Sequence, residues 1–187
     1  MYWYKRYFLF IAGLTVFAGI QSCKSDSNAG SDTKQFFDLK KYFTSESIRL
    51  TKINPLITKT AVHNSVNETK KLHIANWETE LSLFIASDIN KPAWRASYTS
   101  SSSEGITTYT ATDSALKTRS IVIKKQNDKV KLILIYNNTK TTLLGKALYW
   151  TTEELSYVPD SMYRIQKKQY VRMRGFNNYY IRGLFNQ

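Results

Sequence analysis

KVKLILIY, residues 129–136, decides the fold class of this chain. Side chains of a strand alternate between its two faces. Val130, Leu132, Leu134 and Tyr136 should therefore point one way, and Ile133 and Ile135 the other. SIVIKK, residues 120–125, repeats the pattern with Ile121 and Ile123 against Val122. An antiparallel sheet with one wet face shows clean apolar–polar alternation, whereas here both faces of the sheet centre are apolar. Helices can cover one face. The other calls for a curling sheet, a second layer or a hydrophobic ligand. A barrel-like or sandwich core filled by its own side chains is the simpler expectation, and a ligand cavity the alternative.

Around this pair the same composition recurs. β-Branched and aromatic residues dominate about 94–101, 105–112, 116–125, 129–136, 141–151, 162–174 and 179–185. Between them lie turn residues: Ser100–Ser103 with Gly105, Asp113-Ser114, Asn127-Asp128, Asn137-Asn138, Val158-Pro159-Asp160 and Asn177-Asn178. Connections this short predict antiparallel neighbours, because a parallel crossover needs a dozen or more residues.

Upstream the period changes. Phe36, Leu39, Phe43, Leu50, Ile53 and Ile57 fall at steps of about three and four residues, the apolar face of one helix. Asp32 or Thr33 is its expected cap and Asn54-Pro55 its expected end. Asn76 is a good cap for a second helix, with Glu78 and Glu80 near its positive dipole end. Trp77, Leu81, Phe84, Ile85 and Ile89 form its buried side, and Asn90-Lys91-Pro92 stops it. Residues 58–74 read as a hairpin turning near Asn64 to Asn67. The expected class is α+β: N-terminal amphipathic helices packed on a large, curved antiparallel β-meander, a half-barrel or barrel-like sheet.

The start of the chain carries an address. Lys5 and Arg6 precede Phe8–Ile20, 13 residues without a charge, and Gln21-Ser22 leads into Cys23, the single cysteine. This is the layout of a secretory signal, and the apolar run is short of the about 20 residues that a spanning helix needs. Ile20-Gln21-Ser22-Cys23 resembles the lipobox of bacterial lipoproteins, with an aliphatic residue three before the cysteine and a small one just before it. The chain is similar in this respect to Bacteroidota-type envelope lipoproteins. The resemblance implies cleavage before Cys23, a diacylglyceryl group on its sulfur and a palmitate-like acyl group on the new amine. It also implies residence in the bacterial envelope, with the outer membrane favoured on the faint Lys24-Ser25-Asp26 signal and the leaflet left open. The expected organisation is a cleaved signal over 1–22, a lipidated cysteine and small polar tether over 23–33, and one α+β domain over 34–187.

Charge then selects partner classes. The 27 basic side chains less Lys5 and Arg6 leave 25 against 14 acidic ones, an excess near +11 after cleavage. Nucleic acid is the default partner of a basic protein, but an exported one does not meet it. Anionic lipid, phosphorylated lipopolysaccharide, acidic glycans or an envelope protein remain. The densest basic segment is YRIQKKQYVRMRGFNNYYIRGLF, residues 163–185, and no acid follows Asp160. With strands as drawn above, Tyr170, Arg172 and Arg174 share one face, and Tyr180 and Arg182 face together on the next strand. Arginine forks fit phosphate or carboxylate, and tyrosine stacks on sugars or sits at lipid interfaces. These five residues are the candidate anionic-ligand or interaction face, with edge protection of terminal strands as the structural alternative.

Catalytic chemistry has little foothold. His63 and His73 are the two histidines and fall near opposite ends of the hairpin, too far apart to share a metal. No nucleophile elbow, phosphate loop, zinc motif or calcium loop is present. Glu153 and Glu154 are adjacent, so on a strand they face opposite ways. No catalytic residue, metal ligand or cofactor is expected. The expected role is non-catalytic binding by a membrane-anchored lipoprotein. The alternatives are a carrier that shelters acyl chains in a half-open sheet and an unrecognised envelope enzyme.

Overall fold

The computed structural model describes residues 35–186. Cys23, the lipobox, the tether, Asp32 and Thr33 lie outside the described residues. The first helix, α1, spans Leu39–Ile53 and is capped by Asp38, whose side chain accepts from the Lys41 amide at 2.9 Å. It starts later than the apolar spacing predicts because Phe36 and Phe37 have other partners. The Phe36 amide donates to Asn90 Oδ1 at 3.1 Å and the Phe37 amide to the Tyr109 hydroxyl at 3.2 Å. Both bonds hold the chain outside the helix. The predicted end is met: Asn54 turns left-handed at φ 43° and its amide caps Leu50 O at 2.9 Å. Ile57 then belongs to a strand rather than to the helix face.

That strand, β1 (Leu56–His63), forms a hairpin with β2 (Val66–His73) about a two-residue turn, Asn64-Ser65. Asn76 caps the next segment, accepting from the Thr79 amide at 2.9 Å. The single predicted helix is instead two short turns, α2 (Trp77–Glu80) and α3 (Ser82–Ile85). A 3-10 turn at Pro92–Trp94 leads into the meander. Its strands are β3 (Tyr98–Ser103), β4 (Ile106–Ala111), β5 (Thr118–Gln126), β6 (Lys129–Leu143), β7 (Lys146–Val158), β8 (Met162–Val171) and β9 (Gly175–Phe185).

All nine strands join one sheet in the order β2-β1-β9-β8-β7-β6-β5-β4-β3, and every pairing is antiparallel. The early hairpin thus docks on the last strand. The expectation of a half-barrel or barrel-like sheet is corrected: the sheet is open, neither closed nor strongly curled. The reason lies at its margins and on its inner face. Edge strand β2 carries Glu68, Lys70 and Lys71, which discourage further pairing, and edge strand β3 is serine-rich. Closure would also have no apolar surface left to bury inside, because the helices already fill that side. Ile121, Ile123, Ile133 and Ile135 are buried there with Phe43, Trp77, Leu81 and Phe84. Fully burying one such side chain contributes roughly 1.5–3 kcal/mol.

The register corrects several sequence boundaries. Asn137-Asn138 and Asn177-Asn178 do not turn the chain; they lie within β6 and β9. Asn137 is fully buried and donates to Ser87 Oγ at 2.8 Å, so tertiary hydrogen bonding absorbs the residue that reads as a turn former. Ser100–Ser103 are strand rather than loop tip. The β6–β7 turn falls instead at Leu144-Gly145, with φ 51° and 73°. Glycine suits this geometry, but leucine there meets its own carbonyl, a strain of about 1–2 kcal/mol. The β8–β9 turn is Arg172-Met173-Arg174, followed by Gly175 at φ 76°. In the β5–β6 ladder the pairing slips by one residue between Lys124 and Lys125, so Val130 pairs Lys125 and packs on the helix side with the core. It does not share the face of Leu132, Leu134 and Tyr136 as strict alternation predicts, because the bulge adds one residue to β6.

Gly183 shows how tightly β8 and β9 meet. A Cβ there would lie 2.0 Å from the ring of Tyr163, its cross-strand partner. That ring is fully buried, stands edge-on to Trp77 at 6.0 Å and donates its hydroxyl to Glu80 Oε1 at 2.6 Å. Gly183→Ala is expected to lower unfolding free energy by about 1–3 kcal/mol through overpacking, read from urea midpoints; an unchanged midpoint would show that the ring yields freely.

Candidate anionic-ligand face

With helices on one side, the opposite side of the sheet is uncovered among the described residues. It presents the even-numbered positions of the central strands. Val122 and Leu132 are half-buried by their neighbours, and Leu134 and Tyr136 remain 38% and 37% exposed. Neither a curled sheet nor a second layer covers this side among the described residues. The apolar centre shades into a polar field over β7, β8, β9 and β1.

Arg164 on β8 and Arg182 on β9 are directly opposite each other in this field. Their strand neighbours on the same face are Gln166 and Tyr180, again a cross-strand pair. Like charges in direct opposition destabilise a sheet. Here the repulsion has little relief: Arg164 Nη2 donates to Ser156 Oγ at 3.2 Å, while the Nε atoms of both arginines are buried without a hydrogen-bond partner among the described residues. Both guanidinium groups are half-buried, a placement that strengthens any charge-assisted bond they make. The arrangement can accept an anion between two forks.

The five sequence-selected residues divide between two places. Tyr170, Tyr180 and Arg182 stand on the uncovered face, Tyr170 opposite Phe176. Arg172 and Arg174 do not share a strand face with Tyr170, because β8 stops at Val171 and they belong to the turn beyond it. Both are exposed there. The sequence reading left Arg164 out of the selected face and placed Trp150 and Phe176 nowhere. Trp150, Tyr170 and Phe176 form one aromatic cluster, with ring centroids 6.4, 6.0 and 5.0 Å apart pair by pair. The signal that could have found Trp150 is the register of β7 on β8, which no single strand reveals.

Other titratable groups are locked into the fold. Glu46 on α1 accepts from the Tyr157 hydroxyl and from Arg49 at 2.9 and 2.6 Å, and Arg49 also reaches Asp160 at 2.6 Å. Burial, with Glu46 beside it, pushes the Tyr157 phenol far above its ordinary range. Glu46, Arg49 and Asp160 line an open cleft of about 780 Å³ together with Lys125, Asp128, Lys129 and Lys131. The cleft is bipolar, so it favours no single sign of ligand. His63 stacks on Tyr179 at 4.5 Å, and His73 Nδ1 donates to Asn54 O at 2.8 Å. The hairpin register pairs residue 63 with 66 and 56 with 73, which keeps the two histidines at opposite ends. Among the described residues no cluster of three or more His, Cys, Asp or Glu could hold a metal.

Glu153 and Glu154 face opposite ways, as adjacent strand residues must. Glu154 is exposed on the uncovered face, while Glu153 is buried on the helix side. It is ion-paired to Lys117 at 3.1 Å and Lys167 at 3.4 Å, and accepts from Asn137 Nδ2 at 3.2 Å. No family model, curated protein or solved structure matches this chain.

Burial raises the Glu153 carboxyl, but the two lysines and Asn137 outweigh it and hold the carboxyl below its ordinary value of 4.5. A carboxylate depressed in the folded state binds fewer protons than in the unfolded chain. Its stabilisation is full above the ordinary value and lost as pH falls through the folded one. Glu153→Gln should flatten the acid limb of the stability–pH curve below about pH 4.5, measured by chemical denaturation; a wild-type slope in the variant would assign that limb to other groups.

Proposed function

We propose that this protein is a lipid-anchored lipoprotein of the bacterial envelope, residing at the outer membrane, that binds anionic headgroups non-catalytically through the uncovered face of its sheet. The ligand chemistry is a phosphate group of envelope lipid or lipopolysaccharide. The observation that carries this reading is the Arg164–Arg182 pair: two arginines directly opposed, with Nε atoms unpartnered among the described residues, on a face that no other layer of those residues covers. Planar forks match phosphate bidentately. Gln166 and Ser156 lie beside them as further polar groups, and Tyr180 offers a ring against which a sugar can pack. The lipid anchor rests on Cys23 and its lipobox in the sequence.

The carrier reading is weaker. The helices lie directly against the sheet with Phe43, Phe84, Ile133 and Tyr157 fully buried between them, so side chains rather than acyl chains occupy that interior. Only the outer apolar strip of Val122, Leu132 and Leu134 is left for a hydrocarbon tail.

Two measurements test the proposal. Cys23→Ser should abolish palmitate labelling; labelling that persists would remove the anchor. Arg182→Glu should weaken binding of deacylated lipopolysaccharide, which carries the phosphates without acyl chains, by about tenfold or more, since hydrogen bonds to charged groups are worth about 1.5–3 kcal/mol. The same substitution places a carboxylate opposite Arg164 and should keep or raise stability by about 0.2–1 kcal/mol. Unaltered affinity in a stably folded variant would sink the phosphate reading.

A further inference from the structure

The ladders of the sheet do not end together. Strand β5 begins at Thr118, opposite Asn137, so β6 beyond Asn138 has no β5 partner. Strand β1 ends at His63, opposite Tyr179, so the start of β9 has no β1 partner. The distal parts of β6, β7, β8 and β9 therefore project as a four-stranded tongue, roughly 15 Å long at about 3.3 Å per strand residue. The β8–β9 turn packs against β7, joined by the Arg172 amide donating to Leu148 O at 2.9 Å, and the β6–β7 hairpin runs on beyond it to its own turn at Leu144-Gly145.

The composition of this tongue is ordered along its length. At the turns stand Leu143, Leu144 and Met173, exposed by 57%, 93% and 95%. Tyr170 and the 66%-exposed Phe176 pair one step behind the β8–β9 turn, and Trp150, opposite Tyr170 and further back along the β6–β7 hairpin, completes their cluster. Lys140, Lys146, Arg172 and Arg174 surround both, and residues 139–151 and 169–177 contain no Asp or Glu. Leu144 is the most telling residue. It occupies a left-handed position at φ 51° where asparagine is the favoured partner of the following glycine, and it buries almost nothing. Leucine there works against both backbone and solvation, and strain kept at an exposed tip points to a function.

We propose that the tongue is a membrane-docking element that inserts its two turns into the surface of a bilayer bearing anionic headgroups. The apolar turns reach the upper acyl region, the aromatic cluster sits at the headgroup level favoured by Trp and Tyr, and the four cations meet anionic lipid while their stems lie along the apolar surface. Charge selects this occupant over a zwitterionic surface, and the absence of acids removes any competing repulsion. This goes beyond the Arg164–Arg182 site: it uses the end of the sheet, with Tyr170, Arg172 and Arg174, and needs a bilayer rather than a free phosphate.

The test uses the full chain with Cys23→Ser and Thr142→Cys, so that an environment-sensitive fluorophore sits beside the turn as the sole thiol label. Vesicles of phosphatidylethanolamine and phosphatidylglycerol are the probe, and a parallel label at Asp128→Cys reports the opposite end of the sheet. The label at 142 is expected to blue-shift and to be quenched by acyl-chain nitroxides, much less so in phosphatidylcholine vesicles, while the label at 128 stays in water. Adding Leu144→Asn should reduce that quenching about tenfold, the scale of losing one buried leucine, while thermal stability holds or rises because asparagine fits the turn. A label at 142 that remains water-exposed on anionic vesicles overturns the proposal. So does equal quenching at 128, or burial of the label at raised protein concentration without lipid, which would assign the tip to self-association.

Discussion

One-sided burial organises this molecule. The stack of Phe43 from α1, Phe84 from α3 and Tyr157 from β7, with ring centroids 4.8 to 6.1 Å apart, fixes the helices to a single face of the sheet. Tyr157 also donates to Glu46 on α1, so an apolar contact and a buried hydrogen bond act at the same junction. Aromatic pairs in edge-on geometry add about 0.5–1.5 kcal/mol beyond their burial. Once that face is filled, the other meets no helix among the described residues.

The uncovered face is then a consequence of chain topology rather than of composition alone. Docking β1 onto β9 uses the early hairpin to extend the sheet instead of roofing it. Polar edge strands at both ends remove the incentive to close. A sheet built this way exposes Arg164 beside Arg182 and leaves the apolar strip around Leu134 half-open. Unequal strand lengths add the second consequence, a projecting tongue whose turns carry leucine and methionine into solvent. The uncovered face and the tongue arise from the same cause, the mismatch between how far strands run and how much the helices cover.

Much of the secondary structure was legible because local physics governs it. Asn54-Pro55 ends α1, Asn76 caps α2, and Asn127-Asp128 and Pro159-Asp160 turn the chain where side chains tolerate φ above zero or φ is preset. The misses share a different cause. Asn137 reads as a turn former, yet its side-chain NH2 donates to Ser87 and Glu153 in the interior. Phe36 fits the helical stripe, yet Asn90 and the Tyr109 ring hold it outside. Val130 fits strict alternation, yet a bulge turns it over. In each case a partner tens of residues away, or one inserted residue, outweighs a preference worth a fraction of a kcal/mol to about 1 kcal/mol. The candidate site was half legible: Tyr180 and Arg182 follow from alternation within one strand, but Arg164 enters only through its register with β9.

The sequence by itself determined the alternation that makes a sheet apolar on both sides, the placement of caps and turns, the basic excess, and the charged and apolar run that leads into Cys23, since each depends on residues close along the chain. The tertiary structure alone decided that the sheet stays open, that two arginines oppose each other across strands, and that the β6–β7 hairpin projects beyond the β8–β9 turn packed against it. Those outcomes depend on strand order and register, which are set by the summed packing of the whole domain and leave no mark in any single segment.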